Sequence, residues 1–166
     1  YFDWTTSIAG LKLQGGKMKN PFYAAGKNQM LWDHDLNPEG LAAQYARKKG
    51  DGTLEVFANA SMFWVQERGA DKDSFLLGGQ AGLHRTNGRF GMTAGVGLFS
   101  YTNAKGYAPY YDSANSFGNS VDAAKKYRYD YRDLEIFGEA ALTKGFPVGL
   151  VVDYVTNVAT GVEDKQ

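Results

Sequence analysis

Residues 53–68 read TLEVFANASMFWVQER, and the fold turns on how that stretch alternates. Leu54, Val56, Ala58, Ala60, Met62 and Trp64 fall on one side of an extended chain. Glu55, Asn59, Ser61 and Glu67 fall on the other, with Phe57, Phe63 and Val65 among them. A period of two marks a strand whose faces meet different media. At ~3.3 Å per residue the apolar face extends roughly 30–35 Å, which in a tilted strand is the thickness of a bilayer's apolar layer. Strands of soluble sandwiches usually run about 5–6 residues.

The same alternation recurs on both sides of this stretch. Residues 4–18 form an expected first strand, with Leu11 and Leu13 against Lys12 and Gln14. Gly15-Gly16 is expected to be a bulge, because simple alternation would put Lys17 on the apolar side. Residues 20–37 hold turn-formers and the acidic knot Trp32-Asp33-His34-Asp35, and read as a long loop. Residues 40–48 alternate again, and 49–52 form a tight turn into the opening strand. After a polar connection at 69–73, residues 74–86 and 89–102 make a hairpin about Asn87-Gly88, the strongest two-residue turn signal in the chain. Residues 103–127 are the longest loop. Tyr127, Tyr129 and Tyr131 already alternate with Arg128, Asp130 and Arg132, out of step with the apolar Leu134 and Ile136, so a bulge near Asp133 or a strand extending beyond the apolar zone is expected. A turn at 144–147 leads into the last strand, 148–158. Seven strands are expected, with the tight turns on one side and the long loops on the other, which is the habit of bacterial outer-membrane barrels. Trp64 then lies at the loop end.

Composition narrows the classes. The chain has 166 residues, with 18 Lys plus Arg balanced by 18 Asp plus Glu, which argues against a basic nucleic-acid surface. Gly (21), Tyr (11) and Phe (10) are abundant and Pro (4) is scarce, which suits many strands in close passage. Cys is absent, so disulfides and thiol chemistry are excluded while the compartment stays open. No run of about 18 apolar residues marks a transmembrane helix, which says nothing against a barrel. The chain begins at Tyr1 rather than Met and shows no signal peptide, as in a mature form or a piece of a longer protein.

A soluble barrel or sandwich also alternates, but its polar face is the outer one. Here one face carries runs of apolar residues almost free of charge. The other carries Lys12, Gln14, Arg47, Asn59, Gln80, Glu135, Glu139 and Asp153 among glycines, which is wrong for a packed core. Trp4, Phe22, Trp64, Phe75, Phe90, Tyr101, Phe146 and Tyr154 gather near strand ends, as in the aromatic girdles of an outer-membrane barrel. Hydrocarbon demands closure, because each unpaired backbone group there costs several kcal/mol. Seven strands are too few for an open pore, since a barrel of about eight is filled by its own side chains. The fold class expected is therefore all-β, a transmembrane antiparallel up-and-down barrel without internal domain boundaries. This chain supplies part of a larger barrel of about 16 strands or more.

Two stretches carry a family resemblance. GKMKNPF at 16–22, followed by LWDHDLNPEGL at 31–41, resembles the signature region of the "putative porin" family of Gram-negative outer membranes. FWVQER at 63–68, FGNS at 117–120 and Asp153-Tyr154 fit that family in the same order. The resemblance covers the middle-to-late part of such a porin. It implies a large antiparallel barrel for passive diffusion of ions and small hydrophilic solutes, without enzymatic activity or cofactor. The partners implied are bilayer lipid, lipopolysaccharide and the solutes, with a homotrimer as the assembly and no nucleic acid.

A channel needs no catalytic group; its chemistry is a lumen whose charges bias ions and whose loops narrow the path. The constriction candidates are Asp33, Asp35 and Glu39 around loop 20–37, facing inward cations such as Lys12 or Arg47 if the loop folds in, and solvated if it folds out. Glu135, Glu139 and Asp153 form an acidic stripe. The pattern Asp33-His34-Asp35 lacks a second ligand group at fixed spacing, so no metal site is expected. His84 faces the lumen without a nameable partner. The tyrosines at 107–111 and 127–131 suit either sugar stacking or girdle and loop packing. Two other functions compete: a small closed outer-membrane barrel with a structural or adhesive role, and a soluble β-barrel binding an apolar ligand.

Overall fold

The alternation carries through to the backbone. In the computed structural model, which describes residues 1–33, 35–142, 144–145 and 147–163, each long alternating stretch is a strand. His34 and Phe146, named above, lie outside the described residues. The order is β1 (Phe2–Thr5), β2 (Leu11–Lys17), β3 (Glu39–Lys49), β4 (Leu54–Gln66), β5 (Ser74–Asn87), β6 (Phe90–Tyr101), β7 (Tyr131–Leu142) and β8 (Val148–Asn157). All eight join one antiparallel up-and-down sheet in sequence order.

Eight strands replace the seven expected because the first one is split. Thr6 accepts the Ile8 N–H on its hydroxyl (3.1 Å) and Leu11 bonds back to the Ile8 carbonyl (3.0 Å), which reverses the chain. Gly10 completes the turn at φ +88°, where a Cβ would lie 2.3 Å from the Ala46 carbonyl oxygen, so only glycine fits. The connections at 6–10, 50–53, 88–89 and 143–147 then fall on one side of the sheet. Those at 18–38, 67–73 and 102–130 fall on the other.

Register assigns the faces. One row across the sheet runs Ala58, Ala81, Val96, Ile136, Tyr154; the row on the opposite face runs Gln44, Asn59, Gln80, Gly97, Glu135. The apolar face is the exposed one: Val96 is 51% and Leu150 66% accessible, whereas Phe63 (2%) and Phe99 (0%) on the polar face are covered. The sheet is thus inside out relative to a soluble fold.

Two expected bulges are absent. No bulge occurs at Gly15-Gly16: β2 and β3 stay in step from Leu11↔Tyr45 to Lys17↔Glu39, and Lys17 simply ends on the apolar side opposite Glu39. No bulge occurs at Asp133 either, since β6 and β7 pair without a break, and the strand begins only at Tyr131. Tyr127 precedes it in an isolated bridge to Val121. The one register shift, between Trp64 and Gln66, sits at the loop end of β4.

The inward glycines do not leave open space. A Cβ on Gly78 would meet the Phe22 ring at 2.4 Å, on Gly82 the Phe57 ring at 2.4 Å, on Gly95 the Phe137 ring at 2.5 Å, and on Gly97 the Phe99 ring at 2.6 Å. Each glycine is a slot for an aromatic ring on the same face. Packing at this density tolerates no extra methyl where the neighbour is also backbone. Gly95→Ala, whose Cβ would also lie 2.6 Å from the Ala81 carbonyl oxygen, is expected to destabilise the protein by roughly 1–3 kcal/mol in urea unfolding. Gly79→Ala, on the exposed face with nothing within 4 Å, is expected to stay within about 0.5 kcal/mol; equal losses at both sites would contradict the slot.

Candidate functional site

The loop 18–38 lies across the polar face of the sheet. Asn20 starts it by accepting the Phe22 N–H on its side chain (3.1 Å), and Pro21 holds the chain extended there. This aims Phe22 down into the Gly78 slot, edge-on to Phe99 (4.9 Å between centroids) and to Phe63 (6.3 Å), with Trp32 stacked on its other side (5.8 Å). Met18, Phe22, Ala42, Phe63, Leu76 and Phe99 form the resulting apolar cluster, made by a loop and a sheet rather than by two sheets.

Polar contacts fasten the next part of the loop. The Gln80 side chain accepts the Tyr23 N–H (2.8 Å), donates to the Tyr23 carbonyl (2.9 Å) and donates to Glu135 (3.0 Å). The Tyr23 hydroxyl donates to Glu139, and the Gly26 N–H donates to the other oxygen of that carboxylate (2.6 Å). The Asn28 amide donates to Asp153 (2.6 Å). Between them, a single 3-10 turn at Ala25–Lys27 buries Ala25 completely. Burial and the neighbouring Glu139 raise the Tyr23 hydroxyl above the ordinary tyrosine range, so it stays a neutral donor. Hydrogen bonds to a charged acceptor contribute about 1.5–3 kcal/mol each. On the far side of the loop, Lys12, Gln14, Lys19, Asn20, Asn37 and Gln44 line a cavity of about 600 Å³. The polar face is thus acidic under the loop on β7 and β8, while on β2 its one cation, Lys12, is paired with Asp3.

The two remaining loops are tied to each other. Arg68 lies over the Tyr107 ring (4.1 Å) and donates to the Lys72 carbonyl and the Ser74 hydroxyl (2.6 and 2.8 Å). Tyr107 donates to Asp71 (2.7 Å). That bond holds the Asp71 carboxyl below its ordinary value and raises the Tyr107 hydroxyl. Behind them, Tyr101 stacks on Tyr110 (5.8 Å), which leans on Tyr127 (5.1 Å) and through it on Tyr131 (5.3 Å). Burial pushes the Tyr110 hydroxyl up to about 12. Between this tyrosine cluster and loop 18–38 is a cavity of about 750 Å³.

Sequence-expected residues distribute unevenly over this site. Lys12, Gln14, Asn59, Gln80, Glu135, Glu139 and Asp153 all stand on the polar face. Arg47 does not: it pairs with Val56 on the apolar face, near the β3–β4 turn. Glu39 is likewise on the apolar face, opposite Trp64, at the first residue of β3. Asp33 lines the larger cavity, and Asp35 is exposed. The expected facing of these acids by Lys12 is not formed, because Lys12 binds Asp3 at 2.6 Å. Trp4, Trp64, Phe75, Phe90 and Tyr154 are on the apolar face, with Trp64 edge-on to Phe75 (5.7 Å). Phe22 and Tyr101, expected beside them, are instead on the covered side, where the glycine slot and the tyrosine cluster receive them. His84 has a partner, the Thr93 hydroxyl at 2.9 Å. Among the described residues no group of three His, Asp or Glu side chains is placed to hold a metal ion.

The reading from sequence missed Tyr23, Asn28 and the ring-in-slot role of Phe57, Phe99 and Phe137. One signal was present: four phenylalanines on the polar face, each with a glycine opposite or nearby in the strand pattern.

A family model described as "putative porin" matches residues 1–132, from before β1 into the start of β7. No curated protein and no solved structure matches the chain.

Two outcomes test the site. Glu139→Ala removes the acceptor for both Tyr23 and Gly26, so limited trypsin digestion is expected to cut faster after Lys27, with the strands still intact by mass spectrometry. An unchanged rate would mean the loop is held without Glu139. In the Asp71–Tyr107 clasp, a depressed carboxyl contributes above the ordinary Asp value of 3.8 and is lost as pH falls through its folded value. The raised hydroxyl contributes below 10.0 and is lost as pH rises past it. Tyr107→Phe is expected to move the Asp71 titration, followed by carboxyl NMR, up toward its ordinary value.

Proposed function

The chain belongs to the "putative porin" family, and on that premise we propose that it forms part of the wall of a water-filled outer-membrane channel for ions and small hydrophilic solutes. The observation that carries this is the inverted sheet: large apolar side chains cover the accessible face of β3–β8, while amides, carboxylates and a polar loop occupy the other. Such a face is stable against lipid, and the polar side against water. The loop 18–38 is the constriction, with the carboxylates of β7 and β8 on one side of it and Lys19 and the Lys12–Asp3 pair on the other. A path between opposite charges orients and sorts small solutes without any catalytic group.

The sheet's two edges, β1 and β8, are not paired with each other. In hydrocarbon each unpaired backbone group costs several kcal/mol, so further strands must cover them for the barrel to close. Lipid on the apolar face, lipopolysaccharide around the loop-side rim and a homotrimeric assembly complete the proposal. A closed barrel with a structural or adhesive role is the second reading. It is favoured by the burial of Phe63 and Phe99 beneath the loop's own Phe22, which leaves that part of the polar face dry.

Planar-bilayer recording of the purified protein separates the two: stepwise ion currents are expected, and a protein that inserts with no current would leave the closed barrel standing. Ala60→Arg is expected to block insertion, because a cation at the bilayer midplane costs roughly 2–4 kcal/mol. Asn59→Arg, one residue away on the polar face, is expected to insert and shift the current toward anions. Equal behaviour of the two variants would contradict the face assignment.

A further inference from the structure

The cavity of about 750 Å³ between loop 18–38 and loop 102–130 falls in the size range of small-molecule sites. We propose that it is a saccharide subsite at the outer mouth, taking neutral oligosaccharides of two or three rings; the inference rests on the channel reading above.

Two exposed rings line it, Tyr111 (74% accessible) and Phe117 (61%). Both sit at positive φ, +65° and +49°, a backbone region that bulky residues rarely adopt and that tends to mark sites where a side chain is being aimed. Neither ring stacks on the other, so they act as separate platforms. Two buried hydroxyls among the lining residues, those of Tyr110 and Tyr131, lack hydrogen-bond partners among the described residues, and the Asp133 carboxyl lines the cavity beside them.

A pyranose has the matching duality. Its C–H face lies flat on an aromatic ring, and its ring-edge hydroxyls donate to a carboxylate and accept from a phenol. A purely apolar ligand would leave the Tyr110 and Tyr131 hydroxyls unpaired, which is costly once water is displaced. Anionic solutes find no Lys, Arg or His among the described residues that line it, and meet Asp33 and Asp133 instead. An organic cation would want several ring faces around one point. Here Tyr101, Tyr110, Tyr127 and Tyr131 pack on one another in series, stacked, tilted and edge-on, rather than around one point.

The test uses the purified protein in a planar bilayer, with maltotriose, choline and glucose 6-phosphate as probes at matched ionic strength. Maltotriose added from the loop side is expected to block the current reversibly and saturably, and the other two to leave it unchanged. Tyr111→Ala and Phe117→Ala are each expected to weaken the block about tenfold without altering the open current. Tyr131→Phe removes only the hydroxyl and is expected to weaken it with stacking intact. Saturable block by choline instead of maltotriose, or maltotriose block unchanged in all three variants, would overturn the subsite while the channel stands. If no current is seen, the channel reading fails by itself. Quenching of tryptophan fluorescence by maltotriose in detergent then decides the subsite, with saturation supporting it and a flat response overturning it.

Discussion

The side-chain amide of Gln80 takes both the N–H and the carbonyl of Tyr23 and holds Glu135 with the same nitrogen. A loop without regular structure of its own cannot lie on a sheet unless its backbone groups find partners, and this amide supplies two of them where water is excluded. Everything else on the polar face follows from that attachment. Phe22 is held one residue away, over Gly78, and Tyr23 reaches Phe137 and Glu139. Half-satisfied buried polar networks are worse than apolar packing, so the carboxylates of β7 need the loop as much as the loop needs them.

The result is a sheet whose covered side is assembled from aromatic slots and charge-assisted hydrogen bonds, while its accessible side is aliphatic. In water that arrangement would expose a continuous apolar surface far larger than soluble proteins carry. Against lipid it costs nothing. Polarity inversion and family membership therefore agree, although they rest on different observations.

Most of this was legible in period two alone. The strands from residue 39 onward, their turns and the two faces of residues 53–68 follow from alternation and from Asn87-Gly88, because side-chain period and turn chemistry are local properties. The split at Thr6 to Gly10 was hidden, since the reversal Thr6-Ser7-Ile8-Ala9-Gly10 lacks the Asn-Gly or Pro signals of a turn. Arg47 and Glu39 were assigned by their charge, whereas parity places both on the apolar face at strand ends, where a charge reaches the interface. Phe22 and Tyr101 could not be told from girdle aromatics without knowing that the loops fold back. That depends on contacts separated by tens of residues, such as Tyr23 with Gln80, which no local pattern encodes. The choice expected near Asp133, a bulge or a strand running past the apolar zone, arose from treating Tyr131 as apolar; in the structure a tyrosine ring belongs on the inner face, against Tyr127.

The chain contains no cysteine, so single cysteines can be placed at will. The central claim, that residues 54–64 separate lipid from the lumen side by side, is tested by substituting Glu55, Val56, Ala58, Asn59 and Ala60 one at a time and labelling the inserted protein with a charged, water-soluble maleimide. Labelling at 55 and 59 with protection at 56, 58 and 60 is the result expected. Uniform labelling, or labelling of the even positions alone, would contradict the account.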